Sequence, residues 1–316
     1  MRFPAAVLAL VALLSASPAA AHDLWIEPVD FSPLVGHPTA VELRVGVGFP
    51  GEAVPRREGN IERFALVGPA GPAGAADDRP LTGIEGVSPA GVTRLPAAGD
   101  HVLVYRSGET PITLDAEAFE GYLNEEGLEH VSRRRAAAGE SDAPGRELFS
   151  RSVKALVVGR EPAAGAGPPA AGTAAEASPH VRPAGLALEL VPATRPAALA
   201  PGDELEVRLL WHGEPLAGAK VRGEWHRPGD GAQGSVAAVR TDADGRATLR
   251  LPEAGTWKIA TVHMVAVPEA EDGDASASVT PTASATVTAS ADWRSVWTSL
   301  TFRLGPRESG PALAAR

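Results

Sequence analysis

Apolar and polar residues alternate through most of the chain. Ala40–Phe49 (AVELRVGVGF), Ile61–Gly68 (IERFALVG) and Gly99–Ser107 (GDHVLVYRS) follow this pattern. It is the two-residue period of a strand with one buried face. The second half is richer still. LALELVPA, ELEVRLLWHG, KVRGEWHR, AAVRTD, RATLRLPE, TWKIATVHMVAV and SVWTSLTFRL follow one another between Leu186 and Leu304. Their spacing is that of a β-sandwich. Turn chemistry separates them: Pro201-Gly202, Gly218 and Asp244-Gly245.

One stretch breaks the period. LDAEAFEGYLNEEGLEHVSRRRAAAG begins at Leu114, and Ala118, Phe119, Tyr122 and Leu123 recur at helical spacing. Asp115 is placed to cap the helix, and Gly127 to end it in a left-handed turn. A second helix is expected from Leu128 to Ala138, and SRSVKALVVG then closes the half as a strand. The fold class is therefore mainly β, with two β-sandwich-like domains. The first spans 22–160 and carries a helical segment at 115–138. The second spans 185–305. Between them, 161–184 is almost all Ala, Pro, Gly and polar residues, the composition of a flexible linker. Residues 269–290 are acidic, then rich in Ser and Thr, and are expected to form a long exposed loop. Residues 306–316 are expected to be a disordered tail.

The N-terminus changes the picture. Met1-Arg2-Phe3-Pro4 precedes an apolar run from Ala5 to Leu14 and small residues up to Ala21. That is the layout of a secretory signal peptide over 1–21, too short to span a bilayer. Cleavage wants small residues at −3 and −1, and Ala19 and Ala21 supply them, which would make His22 the first residue of the processed chain. Cutting after Ala20 would put Pro18 at −3, a poorer choice. Cutting after Ala19 would leave His22 third, where the amides before it bind copper or nickel. A periplasmic or secreted location follows. No later segment is apolar enough for a membrane span.

The 316-residue chain has no cysteine and a net charge of −10. Disulfides and thiolate metal sites are excluded, and a bacterial periplasm suits such a chain. The acidic balance argues against nucleic acid and favours cations. No nucleophile elbow, zincin helix, phosphate loop or dinucleotide fingerprint is present, so no enzyme is indicated.

A metal site in this chain needs His, carboxylate or backbone nitrogen. Of the eight histidines, His22 is the first candidate, because a terminal histidine offers amine and imidazole together. A free amine has a pKa near 8, so a metal displaces its proton at neutral pH. Asp23 and Glu27 are close enough in sequence to add oxygen. His263, in an otherwise apolar strand, is either a ligand completing that site or a core histidine bonded to a carbonyl. His130 has Glu126 four residues before it, a two-ligand pair only if Gly127 does not break the helix; otherwise it is a solvated or capping histidine. His101, His212 and His226 read as structural, and His37 and His180 as loop residues. TDADGRA (Thr241–Ala247) resembles the start of a calcium loop but lacks the glycine at position six, so a β-turn is the better reading. Trp225, Trp293 and Trp297 read as core residues or as a sugar-stacking face.

AHDLWIEP, RVGVGFPGEAVPR, FEGYLNEEGLEHV, PGRELFSRSVKALV, TDADGRATLRLPEAGTWKIATVHM and ADWRSVWTSLTF together resemble an exported bacterial family of uncharacterised domains. That family is described as the periplasmic component of cobalt or nickel transport. GEPLAGAKVRGEW and TDADGRATLRLPEAGTWKI further resemble a transthyretin-like or carboxypeptidase-regulatory-like sandwich. The family resemblance implies a divalent transition metal, nickel or cobalt, handed to an inner-membrane permease. An amine-plus-imidazole site favours copper instead, by the usual affinity order. A carbohydrate-binding or adhesion module presenting tryptophans is the rival class.

Overall fold

A computed structural model describes residues 22–68, 78–162, 178–267 and 291–306. The expected signal peptide, most of the linker, the 269–290 loop and all but the start of the tail lie outside the described residues.

The first half contributes β1 (Asp23–Pro28), β2 (Pro38–Gly46), β3 (Glu52–Val54), β4 (Ile61–Val67), β5 (Asp78–Pro80), β6 (Gly91–Arg94), β7 (Gly99–Ser107) and β8 (Thr110–Leu114). Two helices follow, α1 (Ala116–Glu126) and α2 (Glu129–Ala138), and then the long strand β9 (Gly145–Gly159). The second half contributes β10 (Leu188–Pro192), β11 (Glu204–Trp211), β12 (Glu214–Pro215), β13 (Lys220–His226), β14 (Gln233–Arg240), β15 (Arg246–Arg250), β16 (Gly255–Ala266) and β17 (Trp293–Leu304).

The protein is mainly β, with a helical insertion in its first half. A nine-stranded sheet in the order β14-β13-β16-β17-β9-β7-β4-β5, with β8 also on β9, runs through both halves. The seam is the parallel pairing of β17 with β9, from Trp293 opposite Glu147 to Thr301 opposite Ala155. All the other strand pairings are antiparallel among the described residues.

Two smaller sheets cover this central sheet, one on each face. On one face lie β1, β2, β3 and β6, packing Leu24, Ile26, Val41 and Leu43 onto Leu66, Leu103, Val153 and Ala155. On the other lie β10, β11, β12 and β15, packing Leu190, Val207 and Leu209 onto Val104, Leu156, Ile259 and Leu300. Neighbouring positions of one strand thus enter different cores, as Ala155 and Leu156 do. Fully burying side chains of this size stabilises by about 1.5–3 kcal/mol each.

The helices share the face of the central sheet that carries β1. Phe119, Tyr122, Leu123 and Val131 pack on Phe149, Val262, Met264, Trp293 and Trp297. The Asp115 carboxylate accepts the Ala118 N–H at 2.8 Å, and Gly127 ends α1 at φ 72°. Asp242 and Gly245 form the turn between β14 and β15, with the Asp242 carboxylate accepting the Asp244 and Arg246 N–H groups. That capped turn is the structural role of TDADGRA.

The linker expectation needs correction at its C-terminal end. Ser178–Val181 are packed, with Ser178 and His180 each only 1 % exposed. The Ser178 hydroxyl donates to Asp100, which Arg195 also pairs, while the His180 ring bonds the carbonyls of His101 and Val157. These polar anchors, absent from any apolar period, explain why composition misreads the segment.

Candidate functional site

The site grows from the start of β1. Asp23 is 5 % exposed. Its Oδ1 accepts from Arg222 at 2.9 Å and its Oδ2 from Lys258 at 2.8 Å. Burial pushes the Asp23 carboxyl up, but the charges and hydrogen bonds of Lys258 and Arg222 outweigh it and hold the group below the usual range. Lys258 is itself fully buried, 3.3 Å from Glu224 and 4.5 Å from the centre of the Trp25 ring. Ser299 and Thr301 of β17 donate to the carbonyls of Leu24 and Ile26. β1 is therefore riveted across the central sheet, and His22 just before it is placed accordingly. The His22 carbonyl accepts from Arg151 at 3.2 Å.

His22 lines the rim of a cleft of about 290 Å³ beneath α1, with Glu125, Glu126, Tyr122 and Arg222 around it. Arg222 spans the two acids, 3.0 Å from Glu126 as well as 2.9 Å from Asp23. Burial pushes Glu126 up to about 7; Arg222 opposes this, and the Asp23 and Glu125 charges add to it. Behind the cleft, burial pushes Glu147 up to about 7 against hydrogen bonds from Ser295 and Tyr122. The result is an acidic cleft with a histidine at its mouth and carboxylates that exchange protons near neutrality.

The sequence candidates separate into two places. His22 and Asp23 are together, yet both Asp23 oxygens hold cations, so its role is to anchor β1. Glu27 turns elsewhere, to His226 at 2.9 Å and Arg44 at 3.3 Å. His263 and His130 meet each other instead, their ring centres 5.9 Å apart. They line a second cleft, with Gly127, Lys220 and Arg240, on the far side of the α1–α2 turn. Gly127 does break the helix, so Glu126 and His130 face different clefts. His101 and His180 are buried structural residues. Trp293 and Trp297 are 4 % and 3 % exposed and belong to the core under the helices. Among the described residues no group of three His, Asp or Glu side chains is arranged to hold a metal ion. None of their helices is long and apolar enough to cross a membrane.

Arg222, Lys258 and Arg151, which build the first site with Glu126, escape the sequence reading. On alternating strands their positions look solvent-facing, and only the third layer of the fold buries them. Glu126 is singled out in the sequence only as a partner for His130, not for this cleft. Their one local signal is a polar side chain within a strongly apolar strand, as at Lys258 in TWKIATV.

No curated protein and no solved structure matches the chain. The family described as "Domain of unknown function (DUF4198)" does, over residues 19–265, from just before His22 to the end of β16. Since that match covers most of the chain, including the residues that line the acidic cleft, the chain belongs to the DUF4198 family.

Proposed function

We propose that the protein is an exported carrier of a divalent transition metal, bound at His22. In this reading signal peptidase cuts after Ala21, leaving amine and imidazole on one residue at the rim of the cleft. The metal is cargo. The His22 amine and imidazole chelate it, and Glu125 and Glu126 offer oxygen from the α1 side. The main-chain amine is essential, because among the described residues side chains alone do not form a three-ligand site. The observation that carries the reading is this placement: the residue expected to begin the processed chain lines the same cleft as two carboxylates, its backbone held by Arg151 and next to the anchored Asp23.

The resemblance noted in the sequence puts nickel or cobalt first and an inner-membrane permease as the recipient. It also makes the second sandwich transthyretin-like. Copper is the second reading, because amine plus imidazole favours it in the usual affinity order. The sugar-stacking alternative loses its support, since two of its three tryptophans are core residues.

Intact mass of the secreted protein tests the terminus, and calorimetry with Ni, Co, Cu and Zn tests the metal. The reading expects a chain beginning at His22, one high-affinity equivalent of metal, and loss of that equivalent in His22→Ala. A processed chain that begins elsewhere, or unchanged binding in the variant, would refute it.

A further inference from the structure

We propose that His130 and His263 form a second metal site, for a borderline transition cation. This goes beyond the His22 reading and does not depend on it. The imidazoles come from α2 and from β16, so only the fold brings them together. The last β13–β16 pair is Arg222 with Ala260. Beyond it no described strand pairs with that edge of β16, and α2 lays His130 against it.

Three observations support coordination. The first is spacing. Two imidazoles on one cation, with nitrogen at about 2.1 Å and ring centre at about 3.2 Å, have centres roughly 6 Å apart at an open angle near 130°. The observed separation is 5.9 Å, with 23° between the ring planes. The second is the tautomer. His130 Nε2 lies 2.9 Å from the Met264 carbonyl oxygen, so it must be the protonated donor. Nδ1 then keeps its lone pair, and metal-ligating histidines are oriented in just this way. The third is the state of His263. No hydrogen bond holds its ring among the described residues; Trp211 packs on it at 4.9 Å. His212 sits against the same Trp211, with ring centres 4.2 Å apart. With two imidazoles fixed, water fills the remaining positions.

The surroundings are cationic, which sets a distinctive signature. Arg133, Lys220 and Arg240 border this cleft, with Glu129 the one acid beside them. Lys220 donates to the Glu125 carbonyl; Arg240 donates to the Gly218 and Gly127 carbonyls and pairs with Glu129. Their repulsion of a divalent cation is screened by salt, so binding here tightens as ionic strength rises.

The test uses the full exported chain carrying His22→Ala, which removes the first site whether or not that reading holds. Titration with Ni²⁺ and Cu²⁺ is followed by calorimetry and by tryptophan fluorescence, which either paramagnetic ion quenches at Trp211. One equivalent is expected. Its affinity should fall at least tenfold with His130→Gln or His263→Gln, and most of the quenching should vanish with Trp211→Phe. His130 is exposed, so its variant folds, and unchanged circular dichroism verifies this. Absence of a metal response in the His22→Ala chain would overturn the proposal. So would a response untouched by either histidine variant, or one that weakens with salt, which would place the cation on carboxylates.

Discussion

Replacing Lys258 by Met tests how β1 is held, and with it how His22 is positioned. The ammonium is fully buried, contacts Asp23 at 2.8 Å and Glu224 at 3.3 Å, and lies over the Trp25 ring. Removing one partner of a buried ion pair costs about 3–5 kcal/mol. Arg222 remains on Asp23, so the low end of that range applies. Loss of the cation–π contact adds roughly 1 kcal/mol, while the methionine keeps most of the apolar stem in place. The expected loss is about 3–4 kcal/mol, read from urea denaturation midpoints and slopes. Adding Asp23→Asn removes the stranded charge, so the double variant should recover part of the loss, with a coupling of about 2 kcal/mol.

The pH dependence has a definite sign. Asp23 sits below its ordinary pKa in the folded protein, so its stabilisation is present above about pH 4 and is lost as pH falls through the folded value. Lys258→Met shrinks that contribution, and the gap to wild type narrows toward pH 3. A loss under about 1 kcal/mol, or losses that simply add in the double variant, would refute the reasoning.

Other perturbations have equally definite outcomes. Glu147 is 4 % exposed and its carboxyl is raised to about 7, so the folded state holds a proton that the unfolded state releases. Its contribution is complete below about pH 4.5 and is lost as pH rises to about 7, by up to roughly 3 kcal/mol. Glu147→Gln should flatten that part of the stability–pH curve and raise stability at pH 8; an unchanged slope would contradict the assignment. Gly145 leaves no room for a Cβ, which would lie 2.3 Å from the Phe119 ring. Gly145→Ala should cost about 1–3 kcal/mol and displace α1, measured as a lower melting temperature together with weaker metal binding at His22. Unchanged values for both would show that α1 does not set the cleft.

Much of the fold is legible in the chain. β2, β11 and β15 follow the two-residue period, β4 and β7 only in part because both faces of the central sheet are covered, and α1 is bounded by Asp115 and Gly127 at the positions the capping rules require. β1 is not legible that way: Asp23, Leu24, Trp25 and Ile26 are all buried, so no alternation exists to find. The parallel β9–β17 seam joins residues more than a hundred positions apart, beyond the reach of any local pattern. It also makes the central sheet two-sided. Lys154 and Glu189, which resemble outward-facing polar positions, instead form a buried pair at 2.7 Å. The same effect hides Lys258 and Arg222. The expectation for His22 rests on a local cleavage rule and needs no knowledge of the fold. The separation of His22 from His130 and His263 is not legible, because it depends on how α1 and α2 sit on the sheet.

The most direct test of the central claim keeps the imidazole and removes only the amine. Nickel and copper affinities are compared for the chain beginning at His22 and for the same chain with that amine acetylated, both in the His130→Gln background. The account predicts a drop of at least a hundredfold on acetylation, accompanied by loss of the protons released on binding. Equal affinity in the two forms would show that the terminal amine plays no part, and would contradict the proposed site.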